Sequence, residues 1–142
     1  MITLTFCMIK PDAVKNNHAW SIISYLETVG FKVEQIGQLT FKEDEAAEFY
    51  DEHAGKDFFP NLLKFMSSGP VYGLVLSGDK NIIEKHRKVM GYYDPRKAEP
   101  LTIRAVYGED CPNNAIHGSD SPEAARREIN LFFNQFLKQR TI

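Results

Sequence analysis

The sequence predicts an α/β domain of the α+β kind: a ferredoxin-like split β-α-β sandwich, with helices packed on a four-stranded antiparallel sheet. Two observations lead to this prediction. Strand-like and helix-like segments alternate along the chain, and 142 residues suffice for one hydrophobic core, so residues 1–142 are expected to form a single domain. The alternation favours helices on one face of the sheet. A doubly wound sheet is the competing interpretation, because element order separates the two folds only weakly.

The first strand is predicted at residues 2–9, where side chains alternate between two faces with a period of two. One face collects four apolar side chains, those of Ile2, Leu4, Phe6 and Met8. Pro11 ends the strand because it has no N–H to donate to a neighbouring strand. Lys10 continues the apolar face, so we expect its amine at the rim of a buried surface.

A helix is predicted at residues 18–29, where apolar residues recur at helical spacing and Gly30 follows as a stop. The second strand is predicted at residues 31–41, with an irregularity around Gly37.

The middle of the chain predicts two helices, a strand and another helix. The helices lie at residues 43–54 and 58–67, and Pro60 opens the second of them. A short apolar run at residues 71–76 predicts a buried strand, and residues 79–89 predict a further long helix.

The last third of the chain is predicted to contain two loops, a strand and a helix. Residues 91–100 form a loop rich in Gly, Pro and cations, residues 101–107 form the fourth strand, and residues 108–120 form a second loop. The final helix begins with Ser121 as its N-cap and Pro122 at its first helical position.

The overall charge and the cysteine content narrow the possible partners and location. A net charge of −2 offers no basic footprint for duplex nucleic acid. Cys7 and Cys111 do not have the spacing of a metal or disulfide motif, which favours a reducing compartment. The N-terminal segment lacks the features of a secretory signal, and no apolar run is long enough to span a bilayer. We therefore expect a cytoplasmic protein with no membrane partner and no specific nucleic-acid partner.

The segment NAIHGSDS, residues 114–121, contains the most reactive candidate side chain, His117. A neutral imidazole can act as base, nucleophile or metal ligand, and Gly118 leaves room beside it. An exposed loop histidine in front of a helix cap is the alternative interpretation. Metal ligation is disfavoured, because the spacing of Cys111, Asp110 and Asp120 around His117 matches no usual zinc pattern.

Cations and aromatic residues elsewhere in the chain could serve a phosphorylated ligand. Four cations with donors suited to phosphate lie close in sequence: Arg87, Arg96, Lys97 and Arg104. The common Gly-rich phosphate loops are absent from the sequence, so a solvated cationic surface is the alternative. Phe58 could stack on a base, whereas Phe58 and Tyr50 could equally be packing residues. These residues alone indicate only an α/β domain with a reactive histidine and nearby cations.

Five segments in order resemble the nucleoside diphosphate kinase family. They are TFCMIKPDAV, FYDEH, KDFFPNLLKFMSSGPV, TIR, and NAIHGSDS followed by a helix that begins SPE. The resemblance covers residues 3–136, and the histidine motif is highly specific. It implies one nucleoside diphosphate kinase domain over residues 1–142. It also implies transfer of the γ-phosphoryl group of a nucleoside triphosphate, typically ATP, to a nucleoside diphosphate.

The resemblance also implies a ping-pong mechanism through a phosphohistidine, broad base tolerance and a role in maintaining nucleoside triphosphate pools. His117 would be the nucleophile, Glu128 would hold its other ring nitrogen, and Ser119 would support Glu128. The nucleotide would be bound by Lys10 and Tyr50 at the transferred phosphoryl group, Arg87 and Arg104 at the remaining phosphates, Asn114 at the ribose, and Phe58 and Leu62 at the base. Mg²⁺ would be held mainly by the nucleotide phosphates, with no ligand directly from the protein. Self-association as a homotetramer or homohexamer is implied as well.

The sequence departs from the family pattern at three places. Tyr93 replaces a threonine that normally contacts a phosphate, and Leu101 stands where the family usually has glycine. The segment NNHAWSII lacks the usual Arg-Gly pair. Tyr93 is still expected to line the nucleotide site, although its hydroxyl lies farther from the backbone. Arg96 or Lys97 could compensate for the lost threonine.

Two other functions fit parts of the sequence. A weakly active relative that binds nucleotide for regulation is favoured by Tyr93 and disfavoured by the presence of Lys10, His117 and Glu128. A non-enzymatic ferredoxin-like module for small ligands or RNA is disfavoured by the net charge of −2.

Overall fold

The computed structural model describes residues 3–140, so the predicted placement of Ile2 lies outside the described residues. The described strands are β1 (Thr3–Ile9), β2 (Lys32–Leu39), β3 (Val71–Gly78) and β4 (Ile116–Gly118). The described α-helices are α1 (Pro11–Lys15), α2 (Ala19–Thr28), α3 (Glu43–Phe49), α4 (Phe59–Met66), α5 (Ile82–Met90), α6 (Ile103–Tyr107) and α7 (Pro122–Arg140). Short 3₁₀ turns occupy Asp51–His53 and Pro95–Lys97.

The four strands form one antiparallel sheet in the order β2-β3-β1-β4. This confirms the predicted ferredoxin-like class. Strand β1 lies inside the sheet, between β3 and β4. On its β4 side, Met8 is directly opposite His117. The register therefore places the candidate histidine beside the end of β1, where Lys10 follows.

Helices cover both faces of the sheet, so the expectation of helices on one face is wrong. One core contains Cys7 and Ile9 of β1, and the other contains Phe6 and Met8. Helices α2 and α5 contribute to the first core, whereas α3, α4 and α7 contribute to the second. The reason is visible in β1, where the run from Phe6 to Ile9 is apolar at every position and is buried on both faces.

Residues 101–107 are not the fourth strand: they contain the short helix α6. The Thr102 side chain caps this helix by accepting a hydrogen bond from the Ala105 N–H at 3.3 Å. Leu101, just before it, has a φ of +71° and an 80% exposed side chain. The local N-cap therefore outweighs the strand propensity of the β-branched residues.

The fourth strand is β4, inside the segment predicted as a loop. It has only three residues, too few for a periodic pattern to identify. The irregularity predicted around Gly37 is also misplaced, because the β2–β3 register shifts between Val33 and Gln35 while Gly37 pairs regularly with Gly73.

Helix α7 begins as predicted. Pro122 is its first residue, and the Ser121 hydroxyl accepts a hydrogen bond from the Ala124 N–H at 3.1 Å. The helix lies on the sheet over a pair of glycines, Gly37 and Gly73. A Cβ at Gly73 would overlap the ring of Phe132, and a Cβ at Gly37 would come within 2.9 Å of Phe136. The two glycines therefore allow α7 to approach the sheet closely.

Candidate active site

His117 lies in the middle of β4, with its ring partly buried among aromatic side chains. The ring centroids of Phe6, Phe49 and Tyr50 lie 6.3, 5.6 and 6.1 Å from that of His117. These rings restrict the orientation of the imidazole. His117 is thus a side chain of the sheet edge packed from one side, rather than an exposed loop histidine.

Glu128 and Ser119 fix one edge of the His117 ring. The Nε2 atom of His117 lies 2.8 Å from Oε1 of Glu128, which also accepts a hydrogen bond from the Ser119 hydroxyl at 2.7 Å. Burial pushes the pKa of Glu128 upward, but hydrogen bonding and charge from His117, with help from Ser119 and Arg127, lower it overall. An ionised carboxylate only accepts, so Nε2 carries the proton and donates it. The lone pair of the neutral ring is therefore on Nδ1.

Lys10 directly follows β1 and reaches the segment that precedes β4. Its Nζ donates a hydrogen bond to Oδ1 of Asn114 at 2.9 Å, and the Asn114 amide donates to the carbonyl of Tyr93 at 2.9 Å. Burial, followed by the charge of Arg104, lowers the pKa of Lys10 to about 8, against the opposing effect of Asp12. Lys10 and Asn114 are both buried and are brought together as the predicted site requires.

A tight turn at Ala115 connects Asn114 to β4. Ala115 has a φ of +75°, and the Ile116 N–H donates to the Asn114 carbonyl at 2.9 Å, which is the pattern of a strained γ-turn. The IKPD segment braces this turn: Oδ2 of Asp12 accepts from the Ala115 N–H at 3.1 Å, and the Lys10 N–H donates to the Ala115 carbonyl at 2.9 Å. Asp12 was not predicted as a site residue, although it lies inside the IKPD motif.

Arg104 is held on α6 by two carbonyl groups. Its guanidinium donates to Gly91 at 3.1 Å and to Ile116 at 2.7 Å, while its buried Nε has no hydrogen-bond partner among residues 3–140. Burial and then the charge of Arg87 lower the pKa of Arg104 to about 10, so it remains charged at neutral pH. Arg87 lies exposed on α5. Arg87 is therefore close enough to affect the ionisation of Arg104.

Tyr50 follows α3 directly, at the C-cap position, and its ring contacts His117. Burial and then the charge of Glu128 raise the pKa of this phenol, so the hydroxyl stays protonated and can donate. That hydroxyl is buried without a hydrogen-bond partner in the described part of the chain. Unpartnered buried donors are costly, and a ligand with phosphate oxygens would satisfy both Tyr50 and Arg104.

Phe58 and Leu62 lie at the start of α4. The Phe58 ring is 50% exposed, and Leu62, one helical turn later, is partly buried against the second core. The Nζ of Lys56 lies 5.7 Å from the centre of the Phe58 ring, and the His53 ring lies 5.4 Å from it. An exposed ring with this fixed orientation can stack on a planar ligand.

The side chains of Tyr93 and Arg96 contact their own neighbours in the chain. The 55% exposed Tyr93 ring packs against Tyr92 at a centroid distance of 4.5 Å, and only its carbonyl reaches Asn114. The Arg96 guanidinium donates to both carboxylate oxygens of Asp94, at 3.0 and 3.2 Å. The Nε and one terminal nitrogen of the Arg96 guanidinium are therefore already paired with the Asp94 carboxylate.

The described part of the chain holds neither a cluster of metal-ligating side chains nor a membrane-spanning helix. Over residues 3–140, no three His, Cys, Asp or Glu side chains are grouped so that they could hold a metal ion. In the same residues, no helix is long and apolar enough to cross a bilayer. Cys7 and Cys111 are free thiols.

Sequence reasoning overlooked three residues around the histidine. Phe6 and Phe49 pack on the His117 ring, and Arg127 bonds to the end of α3. Phe49 could have been noticed as the neighbour of Tyr50 in FYDEH. Arg127 gave no signal, because an arginine on the polar face of a helix is ordinary.

A ferredoxin-like sheet whose edge carries a carboxylate-oriented histidine, near a buried lysine and two arginines, is suited to an enzyme of phosphoryl transfer. The sequence model of the nucleoside diphosphate kinase family matches residues 3–137. The chain therefore belongs to the nucleoside diphosphate kinase family of phosphotransferase enzymes, which confirms the resemblance found in its motifs.

Individual relatives agree over nearly their whole length. The chain is 46% identical over 129 residues to nucleoside diphosphate kinase 1 of Protochlamydia amoebophila, covering 91% of both chains. It is 44% identical to the Haemophilus ducreyi enzyme, covering 95% of this chain and 97% of that one. Among solved structures, the Aquifex aeolicus enzyme has a TM-score of 0.89 at 38% identity, covering 93% of this chain and 95% of that one. The Halobacterium salinarum enzyme in complex with CDP has a TM-score of 0.85 at 40% identity, covering 93% and 88%.

Proposed function

We propose that this chain transfers the γ-phosphoryl group of a nucleoside triphosphate, typically ATP, to a nucleoside diphosphate through a phosphohistidine on His117. The observation that supports this most directly is the hydrogen bond from His117 to Glu128, which occupies Nε2 of the neutral ring and leaves the lone pair on Nδ1. A nitrogen with a free lone pair can attack phosphorus without first losing a proton.

The proposed reaction has two balanced halves. Nδ1 of His117 forms a bond to the γ-phosphorus while the bond from that phosphorus to the bridging oxygen breaks, and the nucleoside diphosphate leaves with the electron pair. A second nucleoside diphosphate then attacks the phosphohistidine through its terminal phosphate oxygen and returns Nδ1 to the neutral state. Glu128 favours the cationic ring of the intermediate, and Ser119 keeps Glu128 in place.

Positive charge and hydrogen-bond donors would stabilise the phosphates during both halves. Lys10 and Tyr50 would donate to the transferred phosphoryl group, and Arg87 and Arg104 to the remaining phosphates. Phosphoryl transfer has a loose transition state, so positioning and charge neutralisation supply most of the catalysis.

The base would stack on Phe58 beside Leu62, which gives broad base specificity because every base has a π-face. Asn114 would contact the ribose while retaining Lys10 and the Tyr93 carbonyl as partners. Tyr93 would border the nucleotide site through its backbone carbonyl, which accepts from Asn114.

Mg²⁺ would accompany the nucleotide. The hydrogen-bond donors near His117 suit phosphate oxygens rather than a metal, and Mg²⁺ is commonly bound through substrate phosphates with its remaining positions filled by water. When bound, the ion would neutralise phosphate charge.

The proposed setting is a cytoplasmic homotetramer or homohexamer, built from single-domain subunits, that maintains nucleoside triphosphate and deoxynucleoside triphosphate pools. We expect no membrane partner and no specific nucleic-acid partner. Light scattering coupled to size exclusion distinguishes four subunits from six.

Incubation with Mg²⁺ and ATP labelled with ³²P at the γ position tests the proposal. We expect an acid-labile, base-stable label on the protein that is absent in His117→Ala and is discharged by a nucleoside diphosphate. A wild-type protein that takes up no label but still binds ADP would contradict the proposal. That result would indicate a nucleotide-binding module, the alternative that Tyr93 favours.

A further inference from the structure

The side chain of Arg127 joins α7 to the end of α3. Its guanidinium donates two hydrogen bonds, to the carbonyl of Phe49 at 3.1 Å and to the carbonyl of Glu48 at 2.6 Å. Carbonyl groups in the last turn of a helix have no partner within the helix, and a cation there also interacts favourably with the helix dipole. The planar guanidinium can bond both carbonyls at once because its donors are fixed relative to one another.

The end of α3 is where the site residues of that helix lie. Phe49 is its last residue and Tyr50 its C-cap, and both rings pack against His117. Helix α3 also packs on α4, whose start carries Phe58 and Leu62. Thus the contact made by Arg127 fixes the end of a two-helix unit (residues 43–66, the helical pair) that carries Tyr50, Phe58 and Leu62 of the proposed nucleotide site.

The position of Arg127 in α7 connects the helical pair to the histidine. Arg127 is the residue before Glu128, which binds Nε2 of His117. One turn of α7 therefore holds the imidazole from one side through Glu128 and the Tyr50 end of the helical pair from the other side through Arg127.

We propose that Arg127 is a positioning residue for phosphoryl transfer: it sets the distance between the Tyr50 end of the helical pair and the His117–Glu128 pair. This inference rests on the proposed function of His117. Without the two hydrogen bonds, the end of α3 can move relative to α7, and the Tyr50 hydroxyl loses its alignment with the phosphoryl group. Small displacements of reacting groups reduce rates strongly.

Single-turnover phosphorylation of His117 by γ-labelled ATP tests the inference in Arg127→Met, which removes the donors but keeps a long apolar stem. We expect the maximal rate of phosphorylation to fall about tenfold while the Kd for ADP changes by less than about threefold. Arg127→Lys retains the positive charge but lacks the planar pair of fixed donors, and it should give an intermediate rate. Arg126→Met is the matched control, because Arg126 is a neighbouring exposed cation with no contact to α3 among the described hydrogen bonds, and it should keep the wild-type rate.

A background with Tyr50→Phe distinguishes positioning from a loss of stability. If Arg127 acts through Tyr50, Arg127→Met should lower the rate by less than about twofold in that background, since coupled residues are not additive. An equal loss in both backgrounds, or a wild-type rate in Arg127→Met, would overturn the inference. Failure of the wild-type protein to take up label would instead overturn the proposed function.

Discussion

At the scale of single residues, Glu128 determines which nitrogen of His117 is free to react. Replacement by glutamine keeps the size of the side chain but removes the negative charge that favours the cationic ring of the intermediate. We expect Glu128→Gln to lower kcat by about 10- to 100-fold with a much smaller change in KM, a loss specific to the transition state. Steady-state kinetics with ATP and a diphosphate acceptor measure this.

Glu123→Gln is the control for that substitution, because Glu123 is an exposed carboxylate in the first turn of the same helix. Equal effects of the two substitutions would mean that the Glu128 charge has no special relation to the imidazole.

Leu101 shows a backbone conformation that its side chain disfavours. Its φ of +71° costs an L residue about 1–2 kcal/mol, and an 80% exposed side chain recovers little of that by packing. Glycine relieves the strain but loses about 0.5–1 kcal/mol in backbone entropy. We therefore expect Leu101→Gly to raise the free energy of unfolding by about 0.5–1 kcal/mol in urea titration. Leu101→Ala retains the Cβ and should show no such gain; a gain of equal size would refute the explanation.

At the scale of elements, the contact between α7 and the sheet depends on Gly73. A Cβ there meets the ring of fully buried Phe132, whereas a Cβ at Gly69 meets nothing within 4 Å. We expect Gly73→Ala to lower the free energy of unfolding by about 1–3 kcal/mol, as overpacked cores do. Gly69→Ala should stay within about 0.5 kcal/mol of wild type. Chemical denaturation of both variants measures the difference, and similar values would show that the sheet yields at Gly73.

The elements that the sequence predicts correctly are those with a long periodic pattern or a clear cap. Strand β1 and helix α7 are of this kind. The segment at residues 101–107 is misassigned because β-branched residues suggest a strand, while the hydrogen bond from the Ala105 N–H to Thr102 starts a helix. Strand β4 is overlooked because three residues carry no measurable period, and only pairing with β1 makes it a strand.

The site divides in the same way. The family motifs led to His117, Glu128 and Ser119, which lie within hydrogen-bond distance of one another or of a shared atom. Asp12 and Phe49 lie in the same motifs but were not named, because nothing in the sequence shows what they contact. The partners of Tyr93 and Arg96 could not be predicted. The orientation of a side chain in an irregular loop depends on contacts that a sequence pattern does not show. Here Tyr93 packs on Tyr92, and Arg96 pairs with Asp94.

At the scale of the whole molecule, His86 makes the free energy of unfolding depend on pH. Its ring is fully buried, and neither nitrogen has a hydrogen-bond partner within residues 3–140. Burial, with added repulsion from His117, Arg104 and Arg87, lowers the pKa of His86 from 6.5 to about 3. Between pH 6.5 and about pH 3, His86 is therefore protonated in the unfolded chain and neutral in the folded chain. The free energy of unfolding consequently falls as the pH drops below 6.5.

His86→Met replaces the imidazole by a side chain of similar volume that cannot bind a proton in the folded or the unfolded chain. We expect wild type to lose about 2 kcal/mol between pH 7 and pH 5 that the variant keeps, while the two differ by less than about 1.5 kcal/mol at pH 7. Urea unfolding at both pH values gives the comparison. Parallel losses in the two proteins would assign the acid sensitivity to other groups.

The close contact between Phe132 and Gly73 also fixes a point about which α7 can tilt. Glu128 lies one turn before Phe132, about 6 Å along the helix axis. A tilt of α7 by about 10° around the Phe132–Gly73 contact therefore moves Glu128 by about 1 Å. A shift of that size at a reacting centre can reduce turnover on the order of 100-fold. A substitution at Gly73, whose contact with Phe132 lies one helical turn from Glu128 along α7, would thus be detected first as slower phosphoryl transfer in a protein that is still folded.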